Sequence, residues 1–158
     1  MGRRTVKAIT YAHRFGDRSI PECILREVLE AIYACPSKLC VGATERIKDE
    51  ILGHLHHSGW PSEVMIDPTS NIRITSVKSK VGLCLQTGNT GRMYADLLKL
   101  QTLYLRGSID AGIFIVPTHA AVGALGKSSN VVHLDRLSRE LPIFERAVSV
   151  PLLAIGIE

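Results

Sequence analysis

Ile74-Thr-Ser-Val-Lys78, Val81-Gly-Leu-Cys-Leu-Gln-Thr-Gly-Asn89 and Ile109-Asp-Ala-Gly-Ile-Phe-Ile-Val-Pro117 are three short apolar runs. The turn-forming pair Ser79-Lys80 separates the first two, so each run reads as a strand. Ile113, Phe114, Ile115 and Val116 are consecutive, which suits a central strand covered on both faces. Between the second and third runs, Met93, Leu97, Leu100 and Tyr104 recur at helical spacing. That helix runs from a capping Thr90 to Arg106 and is ended by Gly107.

Working outward, Ser62–Asp67 is another extended segment, closed by Pro68 and by the turn at Ser70-Asn71. Before it, Thr44 to Ser58 forms a helix that buries Ile47, Ile51, Leu52 and Leu55 and stops at Gly59. Ser19-Ile-Pro-Glu22 has the pattern of a capping box with proline in the first turn. It opens a helix with Ile24, Leu25, Val28, Leu29 and Ile32 on one face, ending near Cys35-Pro36. Downstream, a helix at about Val132–Ala147, bent at Pro142, precedes a last strand at Val150–Ile155. Helices before and after a small sheet make an α/β (α+β) sandwich, a central mixed sheet flanked by helices. The order from 44 to 117 is αβββαβ. No repeat or linker interrupts the chain, so residues 1–158 read as a single domain.

The 46% hydrophobic and 22% charged content excludes a disordered or fibrous chain. No apolar stretch approaches the ~20 residues of a membrane span, and Met1 to Lys7 lacks the apolar block of a secretory signal. Cys23, Cys35, Cys40 and Cys84 fit no dense disulfide framework, which points to a reduced, cytoplasmic protein. Charge is zoned: residues 1–20 carry +4, 21–70 carry −4, 71–106 carry +5, and the remainder −1. The basic zones would draw a polyanion such as DNA, although solvated strand ends and helix backs carry similar charge.

The three quoted runs, with Ala95-Asp-Leu-Leu-Lys-Leu100, resemble type II restriction endonucleases of the BglII and BamHI kind, within the PD-(D/E)XK superfamily. The resemblance covers roughly residues 44 to 118, and Gly59-Trp60 and the strand at Pro151–Glu158 also fit it. It implies a restriction-endonuclease-like core and magnesium-dependent cleavage of double-stranded DNA by a homodimer. Onto this sequence the family's first metal-binding aspartate falls at Thr75, its second acidic ligand at Cys84, and its third site residue at Gln86. Only Gln86 keeps a residue type usual there. By the same resemblance Lys78, Lys80, Asn89 and Arg92 flank the site and contact DNA.

Strand geometry agrees with the placement: Gly82, Cys84 and Gln86 share one face, Val81, Leu83 and Leu85 the other. Magnesium wants hard, preferably anionic oxygen ligands, and a Thr hydroxyl and a Cys sulfur supply neither. The chain therefore reads as a catalytically impaired relative that retains DNA binding, with no cofactor of its own. Two alternatives stay open. One is an active nuclease with relocated carboxylates, drawn from Glu63 or Asp67 on the neighbouring strand or Glu45 and Glu50 on the preceding helix. The other is a non-catalytic protein-interaction or ligand-binding module on the same fold.

Remaining signals are weaker. His54 and His57 lie one turn apart but lack a third ligand, and with His56 they read as a solvated helix end. Cys35 and Cys40 have no second pair to complete a zinc module, and Cys84 reads as a buried, inert thiol. Gly123-Ala-Leu-Gly-Lys-Ser128 lacks the spacing of a phosphate loop and reads as a surface loop.

Overall fold

The computed structural model describes residues 6–128 and 130–158. Its main sheet has five strands in the order β1-β7-β6-β5-β4. These are β1 (Ala8–His13), β4 (Ser76–Lys78), β5 (Val81–Leu85), β6 (Ala111–Pro117) and β7 (Leu152–Ile157). The inner strands β5, β6 and β7 run parallel, while β1 and β4 close the two edges antiparallel. The expected mixed sheet is present.

Period-two alternation sorts the inner strands into two faces. Val81, Leu83, Leu85, Ile113, Ile115, Leu153 and Ile155 meet one cluster of buried side chains. Helices α2 (Glu22–Tyr33) and α3 (Thr44–His57) cover that face with Ile24, Val28, Ile32, Ile47, Ile51 and Leu55. Cys84, Phe114, Val116, Leu152 and Ala154 meet the other cluster. There α4 (Thr90–Leu105) and α6 (Leu134–Glu140) supply Met93, Leu97, Leu100, Leu103, Leu134 and Leu137. The layers are therefore helix, sheet, helix.

A second, two-stranded sheet pairs β2 (Val64–Asp67) with β3 (Ile72–Ile74). The run expected as a single strand ending at Lys78 is thus one segment serving two sheets, with the chain bending at Thr75. Counting β3 and β4 together recovers the αβββαβ order.

Several expectations need correction. The capping box at Ser19 does not form: Ser19 ends a four-residue helix, α1 (Gly16–Ser19), and its hydroxyl bonds Phe15 O. Helix α2 starts at Glu22 without a side-chain cap, relying on Pro21 to set the entry. Asn89, not Thr90, caps α4, its Oδ1 accepting from Arg92 N at 3.1 Å. The Thr90 hydroxyl is drawn instead to Asn130 O. Gly123 and Ala124 of the expected surface loop belong to the end of an unexpected short helix, α5 (His119–Ala124), capped by Thr118. The helix expected to 147 stops at Glu140, because Pro142 has no N–H to continue the ladder and turns follow. The edge strand β1 lies in a region the sequence left unassigned.

Helix α3 matches its expected span and ends at Gly59, whose φ of +88° suits only a residue without a side chain. Among the described residues no helix is long and apolar enough to cross a membrane.

Candidate active site

Position 75 is built by the β4–β5 hairpin. Ser76 pairs with Leu83 in register, so one step further brings Thr75 beside Cys84. Thr75 Oγ1 accepts from Leu85 N at 3.2 Å. Gln86 follows β5 directly and remains tied to β6 through its N–H to Ile115 O at 2.9 Å. Thr75, Cys84 and Gln86 therefore come together on the α4 face of the sheet.

Helix α4 descends close onto that face because glycines stand beneath it. A Cβ at Gly82 would meet Leu100 Cδ2 at 2.8 Å, and one at Gly112 would meet Leu152 Cδ1 at 2.9 Å and Leu100 at 3.3 Å. This close docking carries two residues into the site that sequence reasoning did not single out. Asp96 Oδ2 accepts from Gln86 Nε2 at 2.7 Å, and Asp96 Oδ1 accepts from Lys99 Nζ at 2.9 Å. The Gln86 amide oxygen is occupied as well, accepting from Gly88 N at 2.9 Å. The Asp96 side chain is 11% exposed and that of Lys99 27%. Their hints in the sequence are an acid–base pair three residues apart on a helix and their place in the family-like run Ala95–Leu100, neither of which marks them as site residues.

Cys84 is fully buried, and burial pushes its thiol well above the ordinary range. Asp96 adds to that rise, while Lys99 and the Thr75 backbone oppose it. The sulfur is thus a neutral thiol, neither a nucleophile nor a metal-binding thiolate at ordinary pH.

The other candidate carboxylates are engaged elsewhere. Glu63 is exposed and paired with Arg73 at 3.0 Å. Asp67 accepts from Thr69, which holds its carboxyl below the usual range. Glu50 accepts from the Cys35 thiol and from Ser37, which lowers its pKa and, with burial, raises Cys35 to about 11. Glu45 is solvent-exposed. The Nδ1 of His57 bonds Gly53 O, and His54 and His56 are exposed. Among the described residues, no three His, Cys, Asp or Glu side chains are grouped to hold a metal ion.

The four basic and polar flanking residues separate. Asn89 and Arg92 stand at the α4 N-terminus beside Gln86; a Cβ on Gly88 would touch both Gln86 Oε1 and the Arg92 side chain. Lys78 pairs with Val81 at the far end of β5, roughly 16 Å from Gln86 at ~3.3 Å per residue. It also lies on the opposite face, where Glu27 holds its ammonium at 2.7 Å. Lys80, in the same turn, pairs with exposed Asp110 at 3.3 Å. Lys78 and Lys80 therefore do not flank Gln86. Because β5 and β6 are parallel, the chain after Pro117 emerges at the same sheet end as Gln86. There His119 and His133 stack edge-on at 5.1 Å, and Arg136 Nη1 donates to Thr90 Oγ1.

A protein-family model described as restriction endonuclease BglII/BglIII matches residues 8–157. The chain belongs to the BglII/BglIII restriction endonuclease family. Two solved structures are similar to this family member over 95% of its length. The crystal structure of BglII complexed with a DNA 16-mer has a TM-score of 0.77 at 14% identity and is covered over 75% of its chain. The crystal structure of free BglII has a TM-score of 0.72 at 17% identity and is covered over 78%. At these identities the likeness speaks for the fold. A search of the curated proteins by sequence found no match. The restriction endonuclease family generally uses magnesium.

Proposed function

We propose that this BglII-family chain binds double-stranded DNA but does not cleave it by the family's magnesium-dependent reaction. The observation that carries this reading is the state of the donor set. Thr75 and Cys84 are neutral, Asp96 is already engaged by Lys99 and by Gln86, and Glu63, opposite Thr75 in the strand register, is exposed and paired with Arg73. Magnesium binds through several oxygen ligands in near-octahedral geometry, with carboxylates supplying most of the attraction. The residues present do not fit that ion. Without it, phosphodiester hydrolysis lacks both an activated water and a counterion for the developing charge.

DNA binding is supported by the family, by the fold likeness to a BglII–DNA complex, and by the basic groups at the Gln86 end of the sheet. Arg92 lies in the first turn of α4 and Arg136 in the first turn of α6, and Lys127 follows α5, all elements that begin at that end. Self-association as a homodimer is part of the same reading. On α4, Leu98 is 65% and Leu105 72% exposed, and Ile143, at 74%, follows α6. Exposed apolar residues in such number on one side suit a protein partner. A cytoplasmic location accords with four free thiols.

The test is paired. Supercoiled plasmid incubated with the protein and magnesium or manganese should remain un-nicked, while duplex retention in a gel-shift assay should fall steeply with salt. Metal-dependent nicking would replace this reading with that of an active nuclease with relocated carboxylates. Glu63 is then the first residue to replace, because the β2–β3 register extended by one step sets it opposite Thr75. Absence of retention at low salt would favour the protein-interaction or ligand-binding module.

A further inference from the structure

We propose that Lys99 is a tethered cation standing in for the divalent ion of the family's catalytic site, and that it holds a DNA phosphate there without metal. This rests on the DNA-binding reading above and assigns a group to it. Three observations lead to it.

First, Lys99 is brought to the site by the docking of α4. Its ammonium is 2.9 Å from Asp96, and Asp96 is 2.7 Å from Gln86. The thiol of Cys84, at a position where relatives carry an acidic ligand, feels both Asp96 and Lys99, with opposite signs. Secondly, the charges balance locally. Relatives need a dication because acids crowd the site; here the acid positions are neutral and a single carboxylate faces a single ammonium. An added dication would meet an existing cation instead of free anions. Thirdly, Lys99 is not used up. An ammonium has three donors, and among the described residues Asp96 is its one hydrogen-bond partner. The Lys99 side chain keeps a solvent-facing part, whereas Asp96 is nearly enclosed. The carboxylate thus anchors the ammonium from below, and the free donors remain open to an oxyanion. Lysine binds phosphate as a point charge, which suits an anion arriving over a neutral hydroxyl and amide.

The experiment measures binding of a fluorescent duplex by anisotropy, at several salt concentrations, with EDTA or with magnesium. The parent protein should bind equally in both. Lys99→Met should weaken binding about tenfold, the loss of one charged hydrogen bond. It should also reduce the slope of log affinity against log salt by about one. Lys99→Arg should keep most of the affinity. Asp96→Asn should tighten binding, because it removes the anion that competes for the ammonium. The double variant Asp96→Asn with Lys99→Met, which leaves no buried charge unpaired, should match Lys99→Met and guards against a folding defect. Arg26→Met removes an exposed charge from α2, on the opposite face of the sheet, and should leave the slope unchanged.

Unchanged affinity and slope in Lys99→Met, with Arg92→Ala still weakened, would overturn this proposal and leave the DNA-binding reading standing. A parent protein that binds only when magnesium is present would also overturn it. No binding by the parent at any salt concentration would end both readings.

Discussion

Replacing Cys84 with glutamate places an acid at this position and puts a number on how dry the site is. Cys84 is 1% exposed among Met93, Leu97, Leu100 and Phe114. A glutamate there meets two separate costs. Extra side-chain volume in a packed core costs about 1–3 kcal/mol at any pH. The buried charge costs about 3–5 kcal/mol more, because Asp96 already engages Lys99 and repels a second carboxylate. Burial and Asp96 would raise the carboxyl above its unfolded value. The charge cost is then absent below the unfolded carboxylate range and grows as pH rises towards the folded value. Cys84→Gln carries a similar volume cost without the charge. The difference between the two variants in thermal melts at pH 8 should be about 6–20 °C, taking 2–4 °C per kcal/mol for a chain of this size. At pH 5 it should shrink. Melting temperatures of the two variants within 2 °C at pH 8 would show that water or a counter-charge reaches position 84, and would refute the picture of a closed site.

Three further outcomes follow from contacts elsewhere. Gly16→Ala would drive a Cβ into the backbone carbonyl of Leu152, where no side chain can yield. It should cost about 3 kcal/mol or more, read as a lower denaturant midpoint. Glu27 accepts from Trp60 Nε1 at 2.9 Å and from Lys78, so Glu27→Ala leaves a buried indole N–H unpartnered and the Lys78 ammonium held by Ser58 O alone. The expected loss is about 2–3 kcal/mol, with altered emission from the chain's single tryptophan. His133 Nδ1 accepts from Arg136 N at the start of α6, and burial and His119 lower its pKa below 6.5. A base with a lowered folded pKa adds stability above the unfolded value, and that stability is lost as pH falls below about 6.5 towards the folded one. His133→Asn, which can cap without titrating, should flatten the acid side of the stability profile between pH 7 and 5.

Much of this was written locally in the chain. The two faces of β5, with Cys84 and Gln86 on one of them, follow from alternation within a few residues, whereas Thr75 joined them through the family resemblance. Asp96 and Lys99 were not legible as site residues, because helix docking over Gly82 and Gly112 brings them there and no local spacing encodes it. Lys78 and Lys80 looked close to the site in sequence, yet a strand's length and the alternation of its faces carry them away. The bend at Thr75 was hidden inside one continuous extended run. Thr90 and Asn89 are both competent caps, and only the distant Asn130 carbonyl decides between them. Strand β1 escaped notice because its Ile9 is exposed and its partner is at the other end of the chain.

That last pairing has a consequence for biosynthesis. Residues 152–157, which slot between β1 and β6, are made long after residues 8–13. At roughly 5–20 residues per second, translation leaves the first strand waiting on the order of 7–30 s for its neighbour. Throughout that interval Ile9 and Tyr11 stay available to foreign strands, so nascent chains should crosslink to holdase chaperones through this segment until β7 has been made.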